Sequence, residues 1–236
     1  MMTGSTQQPS PRITQRRTPS MLSQAVGDYL KTIYKLQDDG AVSTTDIARA
    51  LDVSSASVTN MIKRLAQMKL VEHESYKGVR LTEAGEKIAL EIIRHHRLLE
   101  TYLKEMLGYS WAEMHEEAER LEHHISEEFE DKIDALLGHP THDPHGHPIP
   151  TRDLQITQTA TTPLIHAEPG RVLFIHHVSD ADPELLQYLE EIGLLPQNTV
   201  EILDKAPFKG PLTLRIGERE QIVGHEVASN VFVTES

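Results

Sequence analysis

Residues 44–65 read TTDIARALDVSSASVTNMIKRL, and their periodicity decides the fold. Thr44 or Thr45 is placed to cap a short helix that turns Ile47, Ala48 and Leu51 inward. Asp52, Val53 and Ser54 then turn the chain, and Ser55 opens another helix with Val58, Ile62 and Leu65 on one face, ending near Leu70. Upstream, Ala25, Tyr29, Ile33 and Leu36 give the apolar stripe of a first helix that stops near Gly40. Downstream, Leu70 to His73 and Val79 to Thr82 alternate as strands about a turn at Tyr76, Lys77 and Gly78. Helix, helix, turn, helix and hairpin make a winged helix-turn-helix. The third helix begins with Ser55, Ala56, Ser57, Thr59 and Asn60, small or polar side chains suited to base edges in a major groove. Lys63 and Arg64 follow on the same helix for phosphates, and Tyr76, Lys77 and Arg80 equip the wing. Double-stranded DNA is the expected partner, although such helix triads also serve as plain packing or protein-binding units.

Composition limits the alternatives. A chain of 236 residues holds one large domain or two to three small ones. The net charge of −13 argues against nucleic acid for the chain as a whole, but the charge is unevenly spread. Residues 1–82 carry 11 Lys and Arg against 7 Asp and Glu, whereas residues 83–137 carry 6 against 15 and residues 138–236 carry 6 against 14. A mildly basic head on an acidic body permits a DNA contact confined to the head. With no cysteine, disulfides, Cys-type zinc fingers and thiol chemistry are excluded. No apolar stretch is long enough to span a bilayer and the first residues lack a secretory core, so a soluble cytoplasmic protein is expected. Residues 1–20, rich in Ser, Thr, Gln and Pro with Arg12, Arg16 and Arg17, read as a disordered tail.

Thr82 is placed to cap a long helix through Met106, with Ile88, Ile92, Leu99, Leu103 and Met106 as its stripe. Ser110-Trp111-Ala112-Glu113 is a capping box, and the helix it opens should run unbroken to Leu137 with Met114, Ala118, Leu121, Ile125 and Ile133 inward. Two such stripes should pack on each other and on a second subunit. On the second helix His115, Glu119, Glu122 and His123 fall on one face, and His96 and Glu100 stand one turn apart on the first. Carboxylate oxygen and imidazole nitrogen on rigid helices suit a divalent cation of intermediate to hard character; the alternative is a solvated acidic face. His139, His142, His145 and His147 sit in a loop with four prolines (138–150) and read as idle, solvated side chains. Beyond a Thr-rich linker, strands at Val172 to Ile175, Thr199 to Leu203, Leu212 to Ile216 and Val231 to Val233 surround one helix capped by Asp182 and ended by Gly193. This is the pattern of a small SH3-like barrel, in which His176 and His177 receive no part in a primary metal site.

Several segments together give the chain a family likeness: Asp28-Tyr29-Leu30-Lys31-Thr32-Ile33-Tyr34, residues 52–65, Leu81-Thr82-Glu83-Ala84-Gly85, His96-Arg97-Leu98-Leu99-Glu100, Glu119-Arg120-Leu121-Glu122-His123-His124 and residues 144–150. Over residues 22–236 it resembles the diphtheria-toxin-repressor family of iron- and manganese-dependent transcriptional regulators. The fold expected is mainly α with a small β module. It comprises a tail (1–20), a winged helix-turn-helix domain (21–82), a helical metal-binding and dimerisation domain (83–150), a linker (151–163) and an SH3-like, FeoA-like domain (164–236).

The resemblance implies a homodimeric regulator of metal-uptake genes, with no membrane contact, no enzymatic activity and no small organic substrate. It implies a primary metal site of Asp28, Glu119, Glu122 and His123. A second would use His96, Glu100 and His115, completed from the barrel near Asp182 and Glu184. Iron-selective relatives carry Met and Cys where Asp28 and Glu119 stand, so the carboxylates here favour Mn(II), with Fe(II) the alternative. Manganese-type relatives place a carboxylate where this chain has Lys31. Without an ion the carboxylates should repel one another and let the head wander, and His96→Ala should disturb the response less than a primary-site change. Rival readings are a winged-helix regulator of an organic ligand and a metallohydrolase; for the latter the chain lacks an HExxH helix.

Overall fold

The computed structural model describes residues 23–235 apart from 38, 39, 75, 76 and 158. The N-terminal tail and the wing-tip Tyr76 therefore lie outside the described residues. The head is built from α1 (Gln24–Leu36), α2 (Thr44–Ala50), α3 (Ser55–Gln67) and the hairpin β1 (Val71–Glu74) with β2 (Gly78–Leu81). Ser43 rather than a threonine caps α2, its hydroxyl accepting the Asp46 N–H, and Ser54 caps α3 by accepting the Ser57 N–H at 3.2 Å. Val58, Ile62 and Leu65 are fully buried, as the periodicity requires, against Val26, Leu30, Ile33, Ile47 and Val79. The α1 stripe is rotated from its expected position: Ala25 and Leu36 are exposed, while Val26 and Leu30 point inward. The cause is that α1 packs on both α2 and the long helix that follows the wing.

That helix, α4 (Glu83–Leu107), starts on the Thr82 hydroxyl and ends at Gly108 in the left-handed region. Ser110 and Glu113 form the expected capping box of α5 (Trp111–Leu121). The helix does not run on to Leu137. It stops at Leu121, turns through residues 122–124, and restarts as α6 (Glu127–Leu136), with Ser126 accepting the Phe129 N–H. Ser126 is followed by Glu127, Glu128 and Glu130 in the first turn, where acidic groups answer the helix dipole, so a new N-terminus competes well with continuation.

The C-terminal module has a six-stranded antiparallel sheet in the order β3 (Thr162–Pro163), β8 (Val231–Glu235), β4 (Val172–Val178), β5 (Thr199–Lys205), β6 (Leu212–Ile216) and β7 (Arg219–Val223). It carries α7 (Pro183–Ile192) and α8 (His225–Ser229). β3, β7 and α8 have no clear sequence pattern; β7 reads REQIV and shows little alternation. α7 packs on α5, and one continuous core runs from Leu98, Trp111 and Met114 into Ile175, Leu189, Val200 and Val233. The stripe of α5 is thus covered largely from within the chain. No helix among the described residues is long and apolar enough to cross a membrane.

Candidate metal centre

α1, α5 and the turn after α5 converge on one side of α4. α1 brings Asp28, the end of α5 brings Glu119, and Glu122 and His123 follow in the turn after the helix. His123 Nε2 lies 2.7 Å from Asp28 Oδ1 and 3.2 Å from Glu122 Oε1. Asp28, Glu122 and His123 each offer a ligand atom within 4.8 Å of the others. Glu119 does not join this trio. Its carboxylate, 40% exposed, leans towards His96, and it is His96, Glu119 and Glu122 that form the next such group. Gly27 makes the approach of α1 possible, because a Cβ there would meet His123 Cε1 at 2.7 Å.

His96 faces two clusters at once. Its Nδ1 lies 2.6 Å from Glu122 Oε2 and its Nε2 lies 3.0 Å from Glu100 Oε1. Glu100 Oε1 is also 2.8 Å from His115 Nδ1, so the structure gathers His96, Glu100 and His115 as the sequence suggested. Because His96 serves both groups, His96→Ala is not a selective probe of the second; the expected milder effect does not follow from this geometry.

The loop 138–150 is not solvated along its length. Asp143 and His145 are buried, and His145 Nδ1 lies 3.5 Å from Glu100 Oε1. Asp143 Oδ1 accepts the N–H groups of His145 and His147 at 2.9 Å each, and Asp143, His145 and His147 form a further cluster of ligand type. The loop is drawn in by backbone and arginine contacts. Val178 N–H donates to His145 O, Arg94 donates to Pro150 O and Arg97 to Pro148 O. At Gly146, φ +88°, a Cβ would meet His176 O at 2.1 Å. A bulge in β4 at His176 turns both His176 and His177 towards this loop, where their rings meet those of His142 and His147.

The barrel residues expected at the second site do not reach it. Asp182 caps α7 by accepting the N–H groups of Glu184 and Leu185, and both Asp182 and Glu184 are exposed, so neither reaches the cluster. Asp180 instead has its carboxylate turned inward, within electrostatic range of Glu100 and His147 and paired with Lys35 at 2.9 Å.

Electrostatics bind these groups together. Burial pushes the His96 imidazolium down, but the Glu100 and Glu122 carboxylates outweigh it and lift its pKa to about 10. Burial likewise opposes charge on His123, yet hydrogen bonds to Asp28 and Glu122 raise it to about 9. Burial would raise Glu122, and the hydrogen bonds from His123 and His96, with the charges of His96 and Lys31, hold it far below the usual carboxylate range. Glu100 is held well below its ordinary value in the same way, by His96 and His145 against burial. The carboxylates are therefore answered by imidazolium groups and by Lys31, whose Nζ lies 2.7 Å from Glu119 Oε1 and 2.6 Å from Glu122 Oε1.

The residues present fit a divalent ion. Oxygen and nitrogen donors without sulfur converge at both clusters, and Glu100 Oε2, both ring nitrogens of His145 and His147 Nδ1 are buried without a hydrogen-bond partner in the protein. Unpaired polar atoms of this kind are costly unless a ligand answers them.

On the DNA side, Ser55, Ala56, Ser57, Thr59, Asn60, Lys63 and Arg64 of α3 are all exposed, as are Lys77 and Arg80 of the wing. Thr59 Oγ1 donates to Ser55 O, so its hydroxyl is committed to the helix and its methyl group is left for a partner.

Comparison with known proteins agrees with these features. Residues 21–79 match the profile of the iron dependent repressor N-terminal DNA binding domain, residues 82–151 that of the iron dependent repressor metal binding and dimerisation domain, and residues 162–235 the FeoA domain. The iron-dependent repressor IdeR of Mycobacterium bovis is 30% identical over 221 residues, covering 87% of this chain and 94% of the relative. The HTH-type transcriptional regulator MntR of Shouchella clausii is 37% identical over 121 residues, 51% of this chain and 80% of the relative. Among solved structures, a manganese-dependent transcriptional repressor in complex with manganese superposes with a TM-score of 0.83 at 36% identity, covering 89% of this chain and all of the other. ScaR with bound Cd2+ gives 0.78 at 32% identity over 89% of this chain and 99% of its own. A winged head, a carboxylate–imidazole centre beneath it and a C-terminal FeoA-type sheet thus place the chain in the iron-dependent (diphtheria toxin) repressor family, whose members are metal-dependent DNA-binding transcriptional repressors and not enzymes.

Proposed function

We propose that the protein is a homodimeric, Mn(II)-responsive repressor of metal-uptake genes, acting on operator DNA in the cytoplasm. The observation that carries the reading is the 2.7 Å approach of Asp28, in the DNA-reading head, to His123, in the helical region. A site split between two units reports its occupancy as their relative orientation. Asp28, Glu122 and His123, with Glu119 beside them, would hold the primary ion; Glu100, His115 and His145, with His96 shared, would hold a second. A divalent ion supplies positive charge and directional bonds to donors from both units. Asp28 anchors the N-terminal half of α1, and α1 in turn supports α3 through the shared core of Val26, Leu30 and Val58. In a dimer the two α3 helices then meet successive major grooves about 34 Å apart. Exposed Met106, Leu107, Phe129 and Leu136 on α4 and α6 offer apolar surface for a second copy.

Hard oxygen donors favour Mn(II). Fe(II) is the second reading, favoured by the imidazoles His96, His115 and His145 around Glu100. Electrophoretic shift of operator DNA across a metal series tests both. Asp28→Ala and Glu122→Ala should each lose the metal-dependent part of DNA affinity, a factor of about 5–150 for a coupling of ordinary size, and keep the fold. His115→Ala is the cleaner probe of the second cluster and should reduce the response less. If Asp28→Ala still binds operator only when Mn(II) is added, the split-site reading is wrong.

A further inference from the structure

Lys31 pairs with two of the carboxylates expected in the primary group, at the position where manganese-type relatives place a carboxylate. It stands one turn after Asp28 on α1 and is buried. Its ammonium lies 2.7 Å from Glu119 Oε1 on α5 and 2.6 Å from Glu122 Oε1 at the helix's C-terminal cap. Glu122 is thereby engaged on both oxygens, Oε1 by Lys31 and His123 and Oε2 by His96. A buried ammonium persists only where well-placed carboxylates replace its water, so this side chain is not a surface passenger that turned inward by chance. The pair also crosses the junction between head and helical region, as Asp28 and His123 do. An ion held by Asp28, Glu122 and His123 must share Glu122 with this ammonium, and like charges at such range repel strongly.

We propose that Lys31 is a resident cation of the primary centre: it docks α1 on α5 before any metal arrives and competes with the divalent ion for Glu119 and Glu122. The inference rests on the reading of Asp28, Glu122 and His123 as the metal site. It makes two statements about the chain. The metal-free head is held, not wandering, because the ammonium gathers two carboxylates from the neighbouring unit. The affinity for metal is set below what the same donors would reach with no cation among them.

The test uses full-length protein and the variants Lys31→Met, close in length and uncharged, and Lys31→Arg, which keeps the charge. Chelator-treated samples are followed by hydrogen exchange, and Mn(II) binding is followed by titration calorimetry. In Lys31→Met, metal-free exchange of the α1 amides should accelerate at least about tenfold, as local opening becomes easier. Mn(II) should bind at least about tenfold more tightly. Lys31→Arg should keep exchange close to the wild type, which separates the charge from packing. Unchanged α1 exchange in Lys31→Met, or Mn(II) affinity that is unchanged or weaker, overturns the inference about Lys31. Failure of the wild type to bind Mn(II) at all overturns the site reading instead, and the metal-free exchange still decides the docking statement.

Discussion

Gly27 is as necessary to the centre as any ligand. A Cβ at this position would meet His123 Cε1 at 2.7 Å, His123 Nδ1 at 2.9 Å and Ile92 Cδ1 at 2.9 Å. Alanine is favoured over glycine inside a helix by about 1 kcal/mol, so the local effect of Gly27→Ala is stabilising. The tertiary effect is opposite, since α1 must retreat from His123 and carry Asp28 with it. Gly27→Ala should weaken Mn(II) binding by about tenfold or more by calorimetry while the metal-free unfolding midpoint changes little; unchanged affinity would show that His123 yields instead. Glu122 and His123 stood out by their spacing on one helix, whereas Asp28, 95 residues from His123, came only with the family likeness. Gly27 was not legible, because its contact joins residues far apart in sequence. Asp180 was missed for a related reason: nothing local distinguishes it from Asp182, and only the fold shows that one caps α7 while the other turns inward.

Among the elements, α1 is the junction. Asp28, Lys31 and Lys35 lie along it at spacings of three and four residues, and they reach His123, the Glu119–Glu122 pair and Asp180 respectively. One helix of the head thus touches both the helical region and the barrel. In the proposed function α3 is the reading element, and its exposed side chains divide by chemistry. Lys63→Ala should weaken binding to all duplexes and lower the slope of log affinity against log salt by about 1, the signature of one lost phosphate contact. Asn60→Ala should relax preference at one base pair by about 1–3 kcal/mol with little change in salt slope. Equal losses on operator and random DNA for Asn60→Ala would remove it from base readout. α3 was legible to its first residue because cap, periodicity and burial agree there. The break between α5 and α6 was legible in principle, since Ser126 before three glutamates is an N-terminal signal, but the apolar stripe running through Ile125 and Ile133 concealed it. The loop 138–150 was not legible, because proline and histidine look solvated until Val178, Arg94 and Arg97 are known to hold them.

For the whole molecule, these charges make metal-free stability and metal uptake respond to pH in opposite senses. His96 and His123 rise in the folded chain to about 10 and about 9 from 6.5. A group raised by folding contributes fully below its unfolded pKa and loses that contribution as pH climbs through the folded value. Glu100 and Glu122 are lowered from 4.5, so their contribution is complete above that value and is lost as pH falls. His177, driven down to about 4 by burial and by His147, acts against the other histidines and costs stability below 6.5. Above that point His177 is neutral in both states and the raised imidazoles His96, His123 and His145 govern the loss, which puts the most stable metal-free state near pH 6. Ligation requires His123 to give up its proton, so the ion gains as the metal-free form loses. Thermal unfolding of chelator-treated protein should show a lower midpoint at pH 8.5 than at pH 6, and the upward shift produced by saturating Mn(II) should be larger at pH 8.5. A metal-free midpoint that instead rises between those values would mean that His96 and His123 are neutral in the folded chain. Lys31 would then be the main cation answering Glu119 and Glu122, and Lys31→Met should be far more damaging at either pH.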